Sequence, residues 1–250
     1  MAAPTALMTD GLTVKFGGFT AVDNFSMVVE EGELRVILGP NGAGKTTLMD
    51  LVSGKTACTG GHVHLFGKEI TNWPEHRIAR AGLGRKFQIP SVFRDLTVRD
   101  NLEVAASEEV GVLANLRLGR RQREQEKIDR IVELAGLEDV TSKRAGDLSH
   151  GQMQWLEIGM LLAQDAKLIL LDEPTAGMTA AETHKTARIV NGLKGAHTIM
   201  VVEHDMAFVR EIAEKITVMH LGKLLAHGPI ATIEQDEKVR EAYLGSGGIH

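Results

Sequence analysis

One stretch of this 250-residue chain leaves few folds open: Gly39-Pro40-Asn41-Gly42-Ala43-Gly44-Lys45-Thr46, which fits G-x-x-x-x-G-K-[ST] in full. Such a loop works between a buried strand that delivers it and a helix whose N-terminus points back at the bound anion. Both flanks are present. Leu34 to Leu38 is a short apolar run ending at a glycine, and Thr46 to Val52 is compatible with a helix. Glycine lets the backbone wrap closely around phosphate oxygens, so that main-chain N–H groups converge on the anion. Lys45 then sets a point charge between the β- and γ-phosphates, and the Thr46 hydroxyl suits Mg2+. Thr47 follows as a further nucleotide-binding candidate. A glycine-rich turn without a ligand is the other use of such a stretch, but few sit between a strand and a helix of this kind.

The rest of the chain reads as strands and helices around that loop. Leu12, Val14 and Phe16 alternate with Thr13 and Lys15, the period of a half-buried strand. Gly17-Gly18 breaks the run, Phe25 to Val29 begins another strand, and Glu31-Gly32 is a turn. His62–Phe66 reads as a strand between glycine turns, and Asn72 reads as the cap of a helix with Pro74 in its first turn. From Ser91 to about Leu162 the character is helical. Residues 117 to 133 carry six basic and four acidic side chains, interleaved as on a solvated helix face. Strand signals return at Leu168–Leu171 and Ile199–Val202, separated by a helix over Ala180 to Leu193. Thr217 to Leu225 reads as a closing hairpin with Gly222 in its turn, and Val239 to Leu244 as part of a final helix. Strand–helix–strand alternation on both sides of a helical insert predicts an α/β core carrying an α subdomain.

A second piece of chemistry is Leu168-Ile169-Leu170-Leu171-Asp172-Glu173. Four apolar residues bring two carboxylates to the end of a strand, where parallel sheets place their ligands. Asp172 suits Mg2+, and Glu173 suits acceptance of a proton from a water attacking the γ-phosphate. Alone, an acidic pair there is as good a helix cap or solvated turn; beside a phosphate loop the catalytic reading is the stronger. Composition narrows the partners. Lys plus Arg number 28 against 33 Asp plus Glu, a net charge of −5, which leaves no general footprint for nucleic acid. The single cysteine, Cys58, excludes an intrachain disulfide and suits a reducing compartment. No apolar run approaches the roughly 18 residues of a membrane span, and Met1 to Gly11 lacks the basic and apolar regions of a secretory signal.

Leu148-Ser149-His150-Gly151-Gln152 adds a motif that composition cannot supply. Here the chain resembles the ATP-binding-cassette (ABC) ATPases, whose signature is L-S-G-G-Q, with His150 in place of the first of its two glycines. Further motifs match in order: Gln88 in Lys86-Phe87-Gln88 looks like the family's Q-loop glutamine, His204 its switch histidine, and Phe16 the aromatic that stacks on adenine. The resemblance implies a P-loop NTPase core with an N-terminal antiparallel β subdomain and an inserted α-helical subdomain. It implies one nucleotide-binding domain over residues 7–245, with the helical part at about 91–165. It further implies an ATPase using ATP and Mg2+, with Glu173, His204 and Gln88 catalytic. Phe16 and residues 39–47 would bind nucleotide, while Thr46, Gln88 and Asp172 would serve the metal. Ser149, His150, Gly151 and Gln152 would act in trans on ATP held by a second ATPase subunit, in a homo- or heterodimer. Two membrane permease subunits and a substrate-binding protein complete the implied assembly, with no nucleic acid. Its place is the cytoplasmic face of a bacterial inner membrane. Pro90-Ser91-Val92-Phe93 is where permease contact would fall, Phe93 being equally readable as core. One segment departs from the common pattern: where many relatives carry Ser-Ala-Leu-Asp after Glu173-Pro174-Thr175, this chain has Ala176-Gly177-Met178-Thr179. Thr179 cannot supply that aspartate's charge.

Gly84-Arg85-Lys86-Phe87-Gln88, Leu96-Thr97-Val98-Arg99-Asp100-Asn101-Leu102 and the Ala176-Gly177-Met178 turn resemble the branched-chain amino acid and amide uptake branch. Within it, the run from Leu148 to Leu162, Met49-Asp50 and the run from Glu203 to Val209 look closest to ATP-binding subunits of urea transporters. Urea or a short-chain amide is thus the cargo expected, with branched-chain amino acids the alternative. Lipid or polysaccharide export cassettes share this size. The DNA-repair type carries a long coiled coil that the interval from Gln88 to Ser149 cannot hold, and the ribosome-associated type usually pairs two cassettes in one chain. His62 and His64 share a strand face with no third metal ligand evident, Cys58 has no catalytic partner, and Glu203-His204-Asp205 lacks a nucleophile elbow.

Overall fold

The structure is a computed structural model and describes residues 4–85, 92–107 and 118–244. Gln88, the run Lys86–Ser91 and part of the charged run 117–133 lie outside these. Two sheets share the fold. The first is antiparallel, built from β1 (Thr5–Phe16), β2 (Phe19–Glu30), β4 (Gly60–Leu65) and β5 (Lys68–Glu69), in the order β2-β1-β4-β5. The second has six strands in the order β10-β9-β3-β8-β7-β6: β3 (Leu34–Leu38), β6 (Leu83–Arg85), β7 (Leu168–Asp172), β8 (Thr198–Val202), β9 (Lys215–His220) and β10 (Lys223–Gly228). Neighbours from β9 through β6 are parallel, and β10 closes the edge antiparallel to β9.

The central strands read as unbroken apolar runs because both faces are covered. Alternation nevertheless decides which core each residue joins. Leu34, Val36, Ile169, Leu171, Ile199 and Val201 point into one core, under the helices; Ile37, Leu168, Leu170, Met200 and Val202 point into the other. That second core lies between the two sheets. It holds Leu12, Val22 and Phe25 of the antiparallel sheet with Leu48, Met49 and Val52 of α1 (Lys45–Val52), so the helix behind the phosphate loop is clamped from both sides.

Between β6 and β7 the described chain forms α3 (Val98–Ala106), α4 (Leu118–Leu134) and α5 (His150–Ala163). Val98, Leu102, Ile128, Ile131 and Ile158 of these helices pack together and continue into the first core. The remaining helices are α2 (Glu75–Arg80), α6 (Ala180–Leu193), α7 (Met206–Ile212), α8 (Ile230–Ile233) and α9 (Glu237–Leu244). Asn72 is not the cap of α2. Pro74 holds that position in an extended conformation, while Asn72 takes a left-handed φ of 56° and its Oδ1 accepts from the Cys58 N–H at 2.7 Å. The Asn72 side chain closes the loop ahead of the helix and so cannot reach the helix N–H groups. The second strand also starts earlier than the apolar pattern indicated, at Phe19, because pairing with β1 carries it through Asp23 and Asn24.

Candidate active site

Parallel strands deliver their loops to one edge of the sheet, and three of them deliver the chemistry here. β3 ends at Leu38 and runs into the phosphate loop; β7 ends at Asp172, with Glu173 next; β8 ends at Val202, with Glu203 and His204 next. The loop's shape depends on its glycines at two points. A Cβ on Gly39 would lie 2.3 Å from the Met219 carbonyl oxygen. One on Gly44 would lie 2.5 Å from that of Ala21, at a φ of 99° that favours glycine. The Ala43 carbonyl accepts from the Gly222 N–H, and the Gly222 carbonyl accepts from that of Asp23, which sews the loop to the β9–β10 turn and to β2. Lys45 is buried, and its Nζ donates to the carbonyls of Gly39 at 2.6 Å and Pro40 at 3.1 Å. Burial lowers its pKa, against the pull of Glu173 and Asp172. Pro40, Asn41, Gly42 and Thr46 remain open to solvent in whole or part, as anion contacts must be.

Glu173 leaves the strand in a left-handed conformation, φ 46°, fixed by its N–H donating to the Val202 carbonyl at 2.9 Å. The turn lifts its carboxylate off the sheet edge, to within 3.5 Å (Oε1) of His204 Nδ1. Both side chains are accessible. Asp172 is the opposite case. Its side chain is 5% exposed, and burial raises its pKa, with Arg85 opposing. Among the described residues its Oδ2 makes no hydrogen bond, only a longer 3.8 Å ion pair to Arg85 Nη2. A buried carboxylate oxygen short of donors at a strand end, with the Thr46 hydroxyl in the first turn of α1 as a second oxygen, is the kind of hard donor that Mg2+ takes. These residues fit that ion.

Phe16 stands at the tip of β1, 52% exposed, and offers an open ring face. The signature residues gather at the start of α5. Ser149 is its N-cap, accepting from the Gln152 N–H, and the Gln152 side chain accepts from the Ser149 N–H in return. Gly151 is buried against Glu182. Thr179, read for the charge it lacks, is the N-cap of α6 and forms the same reciprocal box with Glu182. Phe93 is 53% exposed, so it is no core residue; its N–H donates to the fully buried Asn101.

Three residues essential to this geometry carried no role in the sequence reading. Glu203 is buried and ties two strand ends together: Oε1 accepts from the Thr175 N–H and hydroxyl, Oε2 from the N–H groups of His204 and Asp205. Arg85 is buried at the end of β6, with Nη1 2.6 Å from Asp50 Oδ1 and donating to Ser53 Oγ at 2.8 Å. Tyr243, the chain's one tyrosine, reaches from α9 to hydrogen-bond the backbone of Gly39; burial pushes its phenol up to about 12. Each announces itself only as a polar residue next to an apolar run. His62 pairs instead with Glu69, 2.8 Å from Nδ1 to Oε1, and no group of three metal-ligating side chains occurs among the described residues.

The sequence profile of the ABC transporter family matches residues 22–176. The high-affinity branched-chain amino acid transport ATP-binding protein BraF of Pseudomonas aeruginosa is 36% identical over 248 residues, covering 96% of this chain and 97% of that protein. The corresponding protein LivG of Salmonella typhimurium is 35% identical over the same length, with the same coverage. Among solved structures, an ATP-binding cassette of an ABC transporter in its ADP conformation superposes with a TM-score of 0.83 at 32% identity. It covers 96% of this chain and 99% of its own.

Proposed function

The chain belongs to the ABC transporter family, as an ATP-binding subunit of the branched-chain amino acid transport type, and from that membership we propose that it drives uptake of branched-chain amino acids by hydrolysing ATP. The observation that carries the hydrolytic part is the meeting of the Gly39–Thr46 loop, Asp172, Glu173 and His204 at one edge of the parallel sheet. Residues 7–245 form one nucleotide-binding domain, with the helical subdomain at about 91–165.

In this reading adenine stacks on Phe16, and the N–H groups of residues 39–47 with Lys45 hold the phosphates. Lys45 exchanges its bonds to the Gly39 and Pro40 carbonyls for phosphate oxygens. Thr46, Asp172 and Gln88 would hold Mg2+, which when bound would supply charge neutralisation on the phosphates. Glu173 accepts the proton of the attacking water as its oxygen bonds the γ-phosphorus; the bond to the bridging oxygen breaks and its electrons leave with ADP. His204, 3.5 Å from that carboxylate, orients it and faces the γ-phosphate. General-base assistance of this kind contributes about 10² to 10⁴ in rate. Ser149, His150, Gly151 and Gln152 close on the nucleotide of a second ATPase subunit, so that ATP joins the two and hydrolysis separates them. Moving such an equilibrium from 1:99 to 99:1 takes about 5.5 kcal/mol of differential binding.

Two permeases and a substrate-binding protein complete the transporter, with this subunit on the cytoplasmic face of the membrane. No helix among the described residues is long and apolar enough to cross one. The exposed Phe93 supports permease docking there. The names of the relatives favour branched-chain amino acids over the urea expected from the runs Leu148–Leu162 and Glu203–Val209. Uptake by the complex purified with its permeases decides between them: leucine-stimulated transport and ATPase activity are expected. Stimulation by urea alone would reverse the cargo assignment.

A further inference from the structure

The signature segment, with His150 in place of a glycine, and the turn Ala176–Thr179 meet in space. His150 Nε2 lies 2.9 Å from the Ala176 carbonyl oxygen, so that ring nitrogen carries the proton and donates. The ring also covers Gly177, where a Cβ would sit 3.7 Å from its Cδ2 and Nε2. Neighbouring links hold the two helices themselves. Ser149 Oγ donates to Glu182 Oε1 at 3.4 Å, and Trp155 Nε1 donates to Thr186 Oγ1 at 2.9 Å. Those links end on α6. The bond from His150 ends in the turn ahead of it, on the residue whose N–H donates to the Glu173 carbonyl at 3.2 Å.

We propose that His150 is a positioning residue that makes the signature segment and the Ala176–Thr179 turn of one subunit move as a unit, and so sets the place of Glu173. The inference rests on the hydrolytic reading of the site above.

The test compares His150→Gly with His150→Gln, whose side-chain amide keeps a donor near the same point. Steady-state ATP hydrolysis by the full chain, with and without its permeases, is read together with amide hydrogen exchange at residues 176–179. His150→Gly is expected to lower kcat about fivefold, the factor equivalent to about 1 kcal/mol for one partly exposed hydrogen bond. KM for ATP should stay within twofold, and exchange across 176–179 should rise. His150→Gln is expected to restore most of both. An unchanged kcat in His150→Gly, unchanged exchange, or a His150→Gln as impaired as the glycine variant would overturn the proposal. So would a rise in KM at constant kcat, which leaves His150 with the contact to the partner subunit's nucleotide and no part in positioning Glu173. Glu173→Gln run in parallel separates the layers: if it hydrolyses ATP normally, the site reading and this inference fall together. If it is inactive while His150→Gly is normal, only this inference falls.

Discussion

Lys45 shows how a single side chain is prepared for an anion. It is buried, its charge is disfavoured by burial, and two backbone carbonyls of its own loop hold it at 2.6 and 3.1 Å. Phosphate oxygens bearing full charge are better acceptors than carbonyls, so in the function proposed here ATP would displace them. Lys45→Ala is therefore expected to weaken ATP binding at least tenfold, read by nucleotide titration, while the fold persists. Glu173 pays for its position in another way: a left-handed φ costs a non-glycine residue roughly 1–3 kcal/mol and persists only where surroundings impose it. Lys45, Thr46, Asp172 and Glu173 stand out as candidates in the sequence because the motif neighbours that mark them lie beside them in the chain. Arg85 and Glu203 were not, since their partners, Asp50 and Ser53 for one and Thr175 for the other, lie about 30 residues away in the chain.

At the scale of elements, helix starts repeat one device. Thr97, Ser149 and Thr179 each cap a helix while the side chain three residues on, Asp100, Gln152 or Glu182, returns a bond to the cap N–H. Thr179→Ala is expected to cost about 1 kcal/mol, a fall in Tm of about 2–4 °C for a chain of this size, in a thermal melt. Such boxes can be read from spacing alone, and the helix Ala180–Leu193 lies where its sequence put it. Asn72 shows the limit. An Asn before Trp-Pro-Glu has a helix to cap, but its amide has a better use across the loop at Cys58, and only the folded chain reveals that choice. The three-residue strand Leu83–Arg85 was equally invisible, being too short for periodicity to register.

Over the whole molecule, α1 is gripped by both sheets, and a polar cluster around the buried Glu33, Arg35 and Thr217 links β2, β3 and β9. Arg35 Nε donates to Glu33 at 2.6 Å, its Nη1 to Thr217 at 2.9 Å, and Lys215 Nζ bonds both Glu30 and Glu33. Burial of Glu33 raises its pKa, but the bonds from Arg35 and Lys215 outweigh that and hold it below the ordinary value. A lowered folded pKa gives stability that is present above the unfolded value, near pH 4.5, and is lost as pH falls through the folded one. Acid unfolding below pH 4.5 should therefore be less steep in Glu33→Gln. At neutral pH that variant should lose about 3–5 kcal/mol in a denaturant titration, because Arg35 is left buried and uncompensated.

In the proposed mechanism Glu173, at the edge where three strands deliver their loops, takes the proton of the attacking water. Turnover and nucleotide affinity measured together on Glu173→Gln test it most directly. ATP affinity close to that of the unaltered chain, turnover lower by about 10² or more, and a dimer accumulating with ATP are the expected results. Undiminished turnover, or loss of ATP binding itself, would mean that Glu173 is not the group that takes that proton.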